Sequence, residues 1–144
     1  MAEIPADAKH LLGGRQFAHV ATLMPDGSPQ VSPVWIDEQD GLVVFNTAEG
    51  RIKPKNARRD PRVAISITAA ENPYEVLYLR GRVVEMTHEG ADEHIDALAK
   101  RYLGVDEYPA RQPGEQRVIV KVEPERVHYR NLSPFLQPDD AARS

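Results

Sequence analysis

The sequence predicts a mainly β, α+β domain: a small antiparallel barrel of six to seven strands with about three helices. Three observations predict it. Short runs rich in β-branched and aromatic residues recur along the 144 residues. Compact turn signals separate them. Only three segments depart from the strand pattern toward a helical one. The length favours one domain, assigned to residues 1–136, with 137–144 as a loose C-terminal tail. There is no internal repeat and no low-complexity segment.

The elements follow in order. Pro5 to Leu12 reads as a short helix stopped by Gly13 and Gly14. Phe17 to Leu23 alternates as a strand, and Met24-Pro25-Asp26-Gly27 turns the chain. Pro29 to Ile36 resumes as the second arm of a hairpin, and Pro33, which has no N–H, predicts an edge or a bulge there. Asp37 to Asp40 reads as a turn, and Gly41 to Thr47 as a third strand. From Arg51 the alternation disappears. Pro54 suits the first position of a helix running to about Arg59, stopped by Asp60-Pro61. Arg62 to Thr68 is a strand, Asn72-Pro73 a loop, and Glu75 to Met86 a long strand with Gly81 as a bulge or corner. Asp92 to Leu103 carries Ile95, Leu98, Ala99 and Tyr102 at helical spacing. Val105 to Gln116 is a polar loop, Arg117 to Glu123 a strand, and Val127 to Asn131 continues the sheet.

Composition removes several functions. With no cysteine, disulfides, zinc thiolates and a cysteine nucleophile are excluded. A net charge of −4 argues against nucleic acid as partner, and 6% aromatic residues argue against base-stacking platforms. No apolar run approaches the ~20 residues that span a bilayer, and the N-terminus lacks the basic and apolar regions of a signal peptide. The reading is a cytoplasmic protein with no membrane partner. The histidines do not suggest a metal site: His88 and His94 are not at i, i+4 spacing, and His10 and His128 have no companions. His19 reads as a packed strand residue, and Asp92, Glu93 and Asp96 as the exposed side of their helix. No catalytic side chain stands out, so an enzyme of this kind would draw its reactive group from a cofactor.

Two segments could bind one. Asn46 to Arg62 joins a strand end to a helix start, where free N–H groups and partial positive charge favour phosphate. Arg51 and Lys53 stand beside that terminus, one a planar fork and the other a point charge. Asn46 and Thr47 add neutral donors. The alternative is a solvated, charged helix face, which suits Arg58, Arg59 and Arg62. In Pro29 to Trp35, alternation puts Gln30, Ser32 and Val34 on one face and Val31 and Trp35 on the other. The first set could meet a ring ligand. The alternative is an edge strand with Trp35 in the core.

Three stretches together, ATLMPDGSPQVSPVW, FNTAEGRIKPKNARRDPRVAISI and NPYEVLYLRGRVVE, resemble the pyridoxamine 5'-phosphate oxidase-like split-barrel family. The order R-x-K-x-x-N-x-x-R-D-P-R from Arg51 to Arg62 is similar to its F420-dependent flavin/deazaflavin oxidoreductase branch. The similarity runs from about Leu11 to Asn131, with Pro54 and Lys55 as departures from the pattern. The resemblance implies an FMN-binding split-barrel fold and an obligate homodimer with two cofactor sites at the interface. It implies that Arg51, Lys53 and Asn56 lie near the cofactor phosphate and acidic tail, and that Asn46 and Thr47 line the same cleft. Ser32, Pro33 and Val34 would face the ring, with Pro73 and Tyr74 reaching in from the partner subunit. The implied activity is hydride transfer between F420 and an unsaturated small organic substrate. An FMN-dependent oxidase or reductase and a non-catalytic F420 carrier are the alternatives. F420 carries a phosphate and a polyglutamate tail, and Arg51, Lys53, Lys55, Arg58 and Arg59 could form a track for them.

Overall fold

In a computed structural model describing residues 1–135, seven strands form one antiparallel sheet. They are β1 (Phe17–Leu23), β2 (Pro29–Trp35), β3 (Asp37–Gln39), β4 (Leu42–Ala48), β5 (Arg62–Ala69), β6 (Asn72–Thr87) and β7 (Arg117–Asn131). Their order across the sheet is β2-β1-β5-β6-β7-β4-β3. Two α-helices, α1 (Ile52–Arg59) and α2 (Ala91–Leu103), and 3-10 turns at Ala6–Leu12 and Ser133–Phe135 complete the fold. This is the predicted split barrel. The tail assigned to 137–144 lies outside the described residues.

Alternation explains the core. In β1, Ala18, Val20 and Thr22 are buried while Phe17 and His19 are exposed; in β5, Val63, Ile65 and Ile67 are buried while Ala64 and Ser66 are not. Leu11 and Leu12 plug the curled sheet and pack with Ile36, Phe45, Leu77, Leu79, Val120 and Val122. Burying one such side chain contributes about 1.5–3 kcal/mol. Curling depends on β6 and β7, whose register shifts at Arg80/Gly81 and again at Val83/Glu85. A Cβ on Gly81 would stand 2.3 Å from the carbonyl oxygen of Glu123, so glycine allows the two backbones to close at this bulge.

Four expectations need correction. Asp37–Gln39 is a short strand rather than a turn. The turn is Asp40-Gly41, whose φ values of 53° and 83° suit a two-residue primed hairpin. Asn72-Pro73 opens β6 rather than forming a loop, with the reversal at residues 70–71. Helix α1 begins at Ile52, so Pro54 is third in it; a missing N–H costs nothing there, because first-turn N–H groups have no intrahelical acceptor. His19 is exposed on the outer face of β1 rather than packed. Pro33 does lie in an edge strand, since β2 pairs only with β1. Among the described residues, no helix is long and apolar enough to cross a membrane.

Candidate functional site

Strand β4 is buried on both faces, which is why it reads as a nearly continuous apolar run. One face meets the core through Val43 and Phe45; the other packs Val44 against Ala91 of α2 and Ile119 of β7. Asn46 and Thr47, just before the strand ends at Ala48, are buried polar residues. Gly50, at φ 90°, then redirects the chain, and Arg51 caps α1 by backbone only, with no side-chain cap on the helix N-terminus.

A cavity of about 180 Å³ opens at this corner. It brings together six residues named from the sequence: Pro33, Val34, Asn46, Thr47, Arg51 and Lys53. Phe17, Trp35 and Tyr108 supply aromatic surface, Ile95 and Leu98 reach in from α2, and Arg117 enters from β7. Trp35 is only half-buried, not a core residue. It stacks on Tyr102 at 5.1 Å between ring centres and meets Tyr108 edge-on at 5.9 Å. Ser32 joins the site indirectly, accepting a hydrogen bond from Lys53 Nζ.

Three cations, Arg51, Lys53 and Arg117, line this cavity, and the two arginines share one carboxylate. Glu115 Oε1 lies 3.0 Å from Arg117 Nη1 and Glu115 Oε2 lies 3.7 Å from Arg51 Nη2. Lys53 pairs with no carboxylate among the described residues. Burial, and then the neighbouring Arg51 charge, push its ammonium below the usual lysine range. An anion in the cavity would relieve both effects.

The remaining sequence-named residues stand elsewhere. Asn56 is not beside the cavity; it is turned onto the β1–β2 hairpin, where Nδ2 donates to Thr22 Oγ1 at 2.9 Å and Oδ1 accepts from Arg59 Nη2 at 2.9 Å. Arg59 also donates to the Leu23 carbonyl, and Arg58 pairs with Glu49, so neither is a free link in a cationic track. Arg58, with His88 second among the attractive partners, holds Glu49 down to about 2. Pro73 and Tyr74 are exposed at the start of β6 and do not line this cavity within one chain. Sequence reasoning missed Arg117, Tyr108 and Phe17. An arginine opening the strand RVIVKV was the one available signal, since such a strand is otherwise apolar. Two larger concavities, about 600 and 440 Å³, share Ala21, Ala64, Arg80 and Arg126 across β1, β5, β6 and β7. The larger is also cationic, with Arg62, Arg80 and Arg126 on its wall, but the lining of neither includes a residue of α1.

Comparison with known proteins bears on the family and the fold. The family model described as pyridoxamine 5'-phosphate oxidase matches residues 4–131. A solved F420 reductase shares 30% identity at a TM-score of 0.75, over 87% of this chain and 98% of its own. A conserved hypothetical protein from Mycobacterium tuberculosis shares 22% identity at 0.73, over 94% of this chain and 89% of its own. HupZ from Group A Streptococcus shares 21% at 0.64, over 88% and 93%. The last two show the common fold alone. Since the family match spans the whole sheet and both helices, this chain belongs to the pyridoxamine 5'-phosphate oxidase family of split-barrel proteins, which bind flavin or deazaflavin cofactors.

Proposed function

We propose that the protein is an F420-dependent oxidoreductase that transfers a hydride between the deazaflavin and an unsaturated small organic substrate. The observation that carries this reading is the convergence of Arg51, Lys53 and Arg117 on one aromatic-walled cavity, where Glu115 pairs with the two arginines and leaves Lys53 without a carboxylate among the described residues. That donor set fits an anionic cofactor with a planar ring. Lys53 and Arg51 would hold phosphate oxygens, with the open α1 N-terminus beside them. Ser32, Pro33 and Val34 would flank the ring. When bound, the deazaflavin supplies the hydride chemistry; the protein's part is to orient it and keep water away. The similarity to an F420 reductase at 30% identity supports the same choice.

The cavity's size supports a homodimer. Pockets that enclose a whole ligand of this class are roughly 300–1,000 Å³, and one chain offers about 180 Å³. A second copy completing the site would account for the difference and would bring Pro73 and Tyr74 to it. The outer face of β1, β2 and β6, with Phe17, Val31 and Tyr78 exposed, offers apolar surface for that contact.

FMN is the second reading, and one observation favours it. Arg58 is neutralised by Glu49, which leaves less cationic track for an acidic tail than the sequence suggests. Fluorescence titration with F420 and with FMN, each at low and high salt, decides between them. The expected result is tighter binding of F420 that weakens as salt screens the tail. Stoichiometric FMN with no F420 binding would replace F420 by FMN. Bound F420 that is never oxidised by any unsaturated acceptor in steady state would make the protein a carrier.

A further inference from the structure

A continuous chain of polar side chains crosses the junction between β4 and α2 and ends at the cavity. Arg101 Nη2 donates to Asp37 Oδ1 at 2.7 Å, and Asp37 Oδ2 lies 3.0 Å from His94 Nε2. His94 Nδ1 lies 3.1 Å from Asn46 Nδ2, which also donates to the Ala91 carbonyl at 2.9 Å. Asn46 Oδ1 accepts from Arg117 Nε at 2.9 Å, and Arg117 Nη1 donates to Glu115 at 3.0 Å. His94, Asn46 and Arg117 are all buried.

Each group dictates the state of the next. An ionised Asp37 only accepts, so His94 Nε2 carries the hydrogen. Asn46 Nδ2 only donates, so His94 Nδ1 is bare. The amide of Asn46 has a single workable orientation. Turned over, its oxygen would face the Ala91 carbonyl and its NH₂ would face the Arg117 Nε–H. The bonding network thus assigns His94 as the neutral tautomer with hydrogen on Nε2. A proton on Nδ1 would oppose Asn46 and break the chain.

Arg117 is the end that meets the cavity. It is 4% exposed, lies with its guanidinium carbon 5.1 Å from the Tyr108 ring centre, and lines the cavity. Nε and Nη1 are committed, whereas Nη2 has no hydrogen-bond partner among the described residues. A buried guanidinium with spare donors at a cavity wall is built to grip acceptor oxygens.

We propose that Arg117 reads acceptor oxygens of the bound cofactor through Nη2, and that His94 is the positioning residue that holds it there through Asn46. This rests on the cofactor reading above. His94 touches no ligand in this scheme. Its work is to fix one amide orientation, which in turn fixes one guanidinium.

Two substitutions separate positioning from packing. In His94→Asn, the side-chain oxygen takes the place of Nδ1 as acceptor toward Asn46 and the bond to Asp37 is lost. In His94→Gln, the amide reaches Asp37 in place of Nε2 and no acceptor faces Asn46. Three readouts apply to the full chain: the ¹H–¹⁵N resonance of Arg117 Nε in ligand-free protein, the Kd for F420, and Tm. Both variants should lose some Tm. His94→Asn should keep the Arg117 Nε resonance and bind F420 within about twofold of wild type. His94→Gln should shift or lose that resonance and bind about tenfold more weakly, a difference of about 1.4 kcal/mol. Equal binding by the two variants, or an unmoved Arg117 resonance in His94→Gln, overturns the proposal. If His94→Gln does not fold, Arg117→Lys keeps the charge and removes the fork; F420 binding unchanged in that variant also overturns it. Wild-type protein that binds no F420 defeats the cofactor reading instead, and the resonance still decides whether His94 positions Arg117.

Discussion

Replacing Lys53 with methionine should weaken cofactor binding while leaving the fold as stable as before, or more so. Lys53 is half-buried, makes one hydrogen bond to Ser32, and sits beside Arg51. A charge-assisted hydrogen bond to a ligand phosphate is worth about 1.5–3 kcal/mol, so the Kd should rise about 10- to 150-fold. Arg51 contributes less: it is half-exposed and already 3.7 Å from Glu115, so its share is nearer the ~1 kcal/mol of a surface pair. The double variant Arg51→Ala, Lys53→Ala should therefore lose about 2–4 kcal/mol of binding. The stability sign runs the other way. Burial and Arg51 lower the lysine's folded-state value below its unfolded one, so the charged form is disfavoured by folding. Between the two values the unfolded chain holds more protons, and stability rises with pH there. Below both, the ammonium is a standing cost that methionine removes while keeping the apolar stem. Thermal melts at pH 7 should show Lys53→Met no lower than wild type, alongside the weaker Kd. A clear fall in Tm with undiminished binding would refute the reasoning and make Lys53 a structural residue.

Two further predictions test other parts of the account. Asp37 is pushed up by burial but pulled further down by hydrogen bonds from His94, Arg101 and the Glu38 N–H, for a net lowering. Such a carboxylate stabilises the fold above its unfolded value of about 3.9 and loses that contribution as pH falls through the lower folded value. Asp37→Asn should thus cost about 1–3 kcal/mol at pH 7, and Tm measured across pH should show the gap to wild type closing below about pH 4. The proposed assembly predicts that light scattering at micromolar concentration finds a dimer; monomer alone at that concentration would remove the second copy from the site.

The barrel was legible because its strands alternate. Val20, Ile65 and Leu79 face inward at period two, and each is almost wholly buried. Pro33 announced an edge, and Gly81 announced the bulge that lets β6 and β7 cross. The Asp40-Gly41 turn is also written in the chain, but the polar run Asp37 to Asp40 reads as one turn and hides the three-residue strand β3. At the site, Arg51 and Lys53 were visible because cations clustered where the alternation stopped. Arg117 was not, because its partners Asn46 and Glu115 lie 71 and 2 residues away and only the β4–β7 pairing joins them. His94 stayed hidden for the same reason. Its neighbours on the helix are Asp92, Glu93 and Asp96, which suggest water, while its true partners are on β3 and β4. Asn56, inside the same cationic run, does not line the cavity of one chain; its amide bonds the hairpin behind it.

The hairpin of β1 and β2 also sets what the open margin of the sheet offers to another strand. Met24 N–H bonds the Ser28 carbonyl at 2.8 Å, and the ladder alternates from there. Hydrogen-bonded pairs fall at Thr22–Gln30, Val20–Ser32 and Ala18–Val34. The backbone of Pro29, Val31, Pro33 and Trp35 consequently points away from β1, toward the open margin of the sheet. Two of those four positions are prolines and offer no N–H. A foreign strand laid along β2 would find every second donor missing. The opposite margin is β3, three residues long with Asp37 and Glu38 in it, too brief and too acidic to template another strand. Both ends of an unclosed sheet are thereby denied to runaway fibre-like growth.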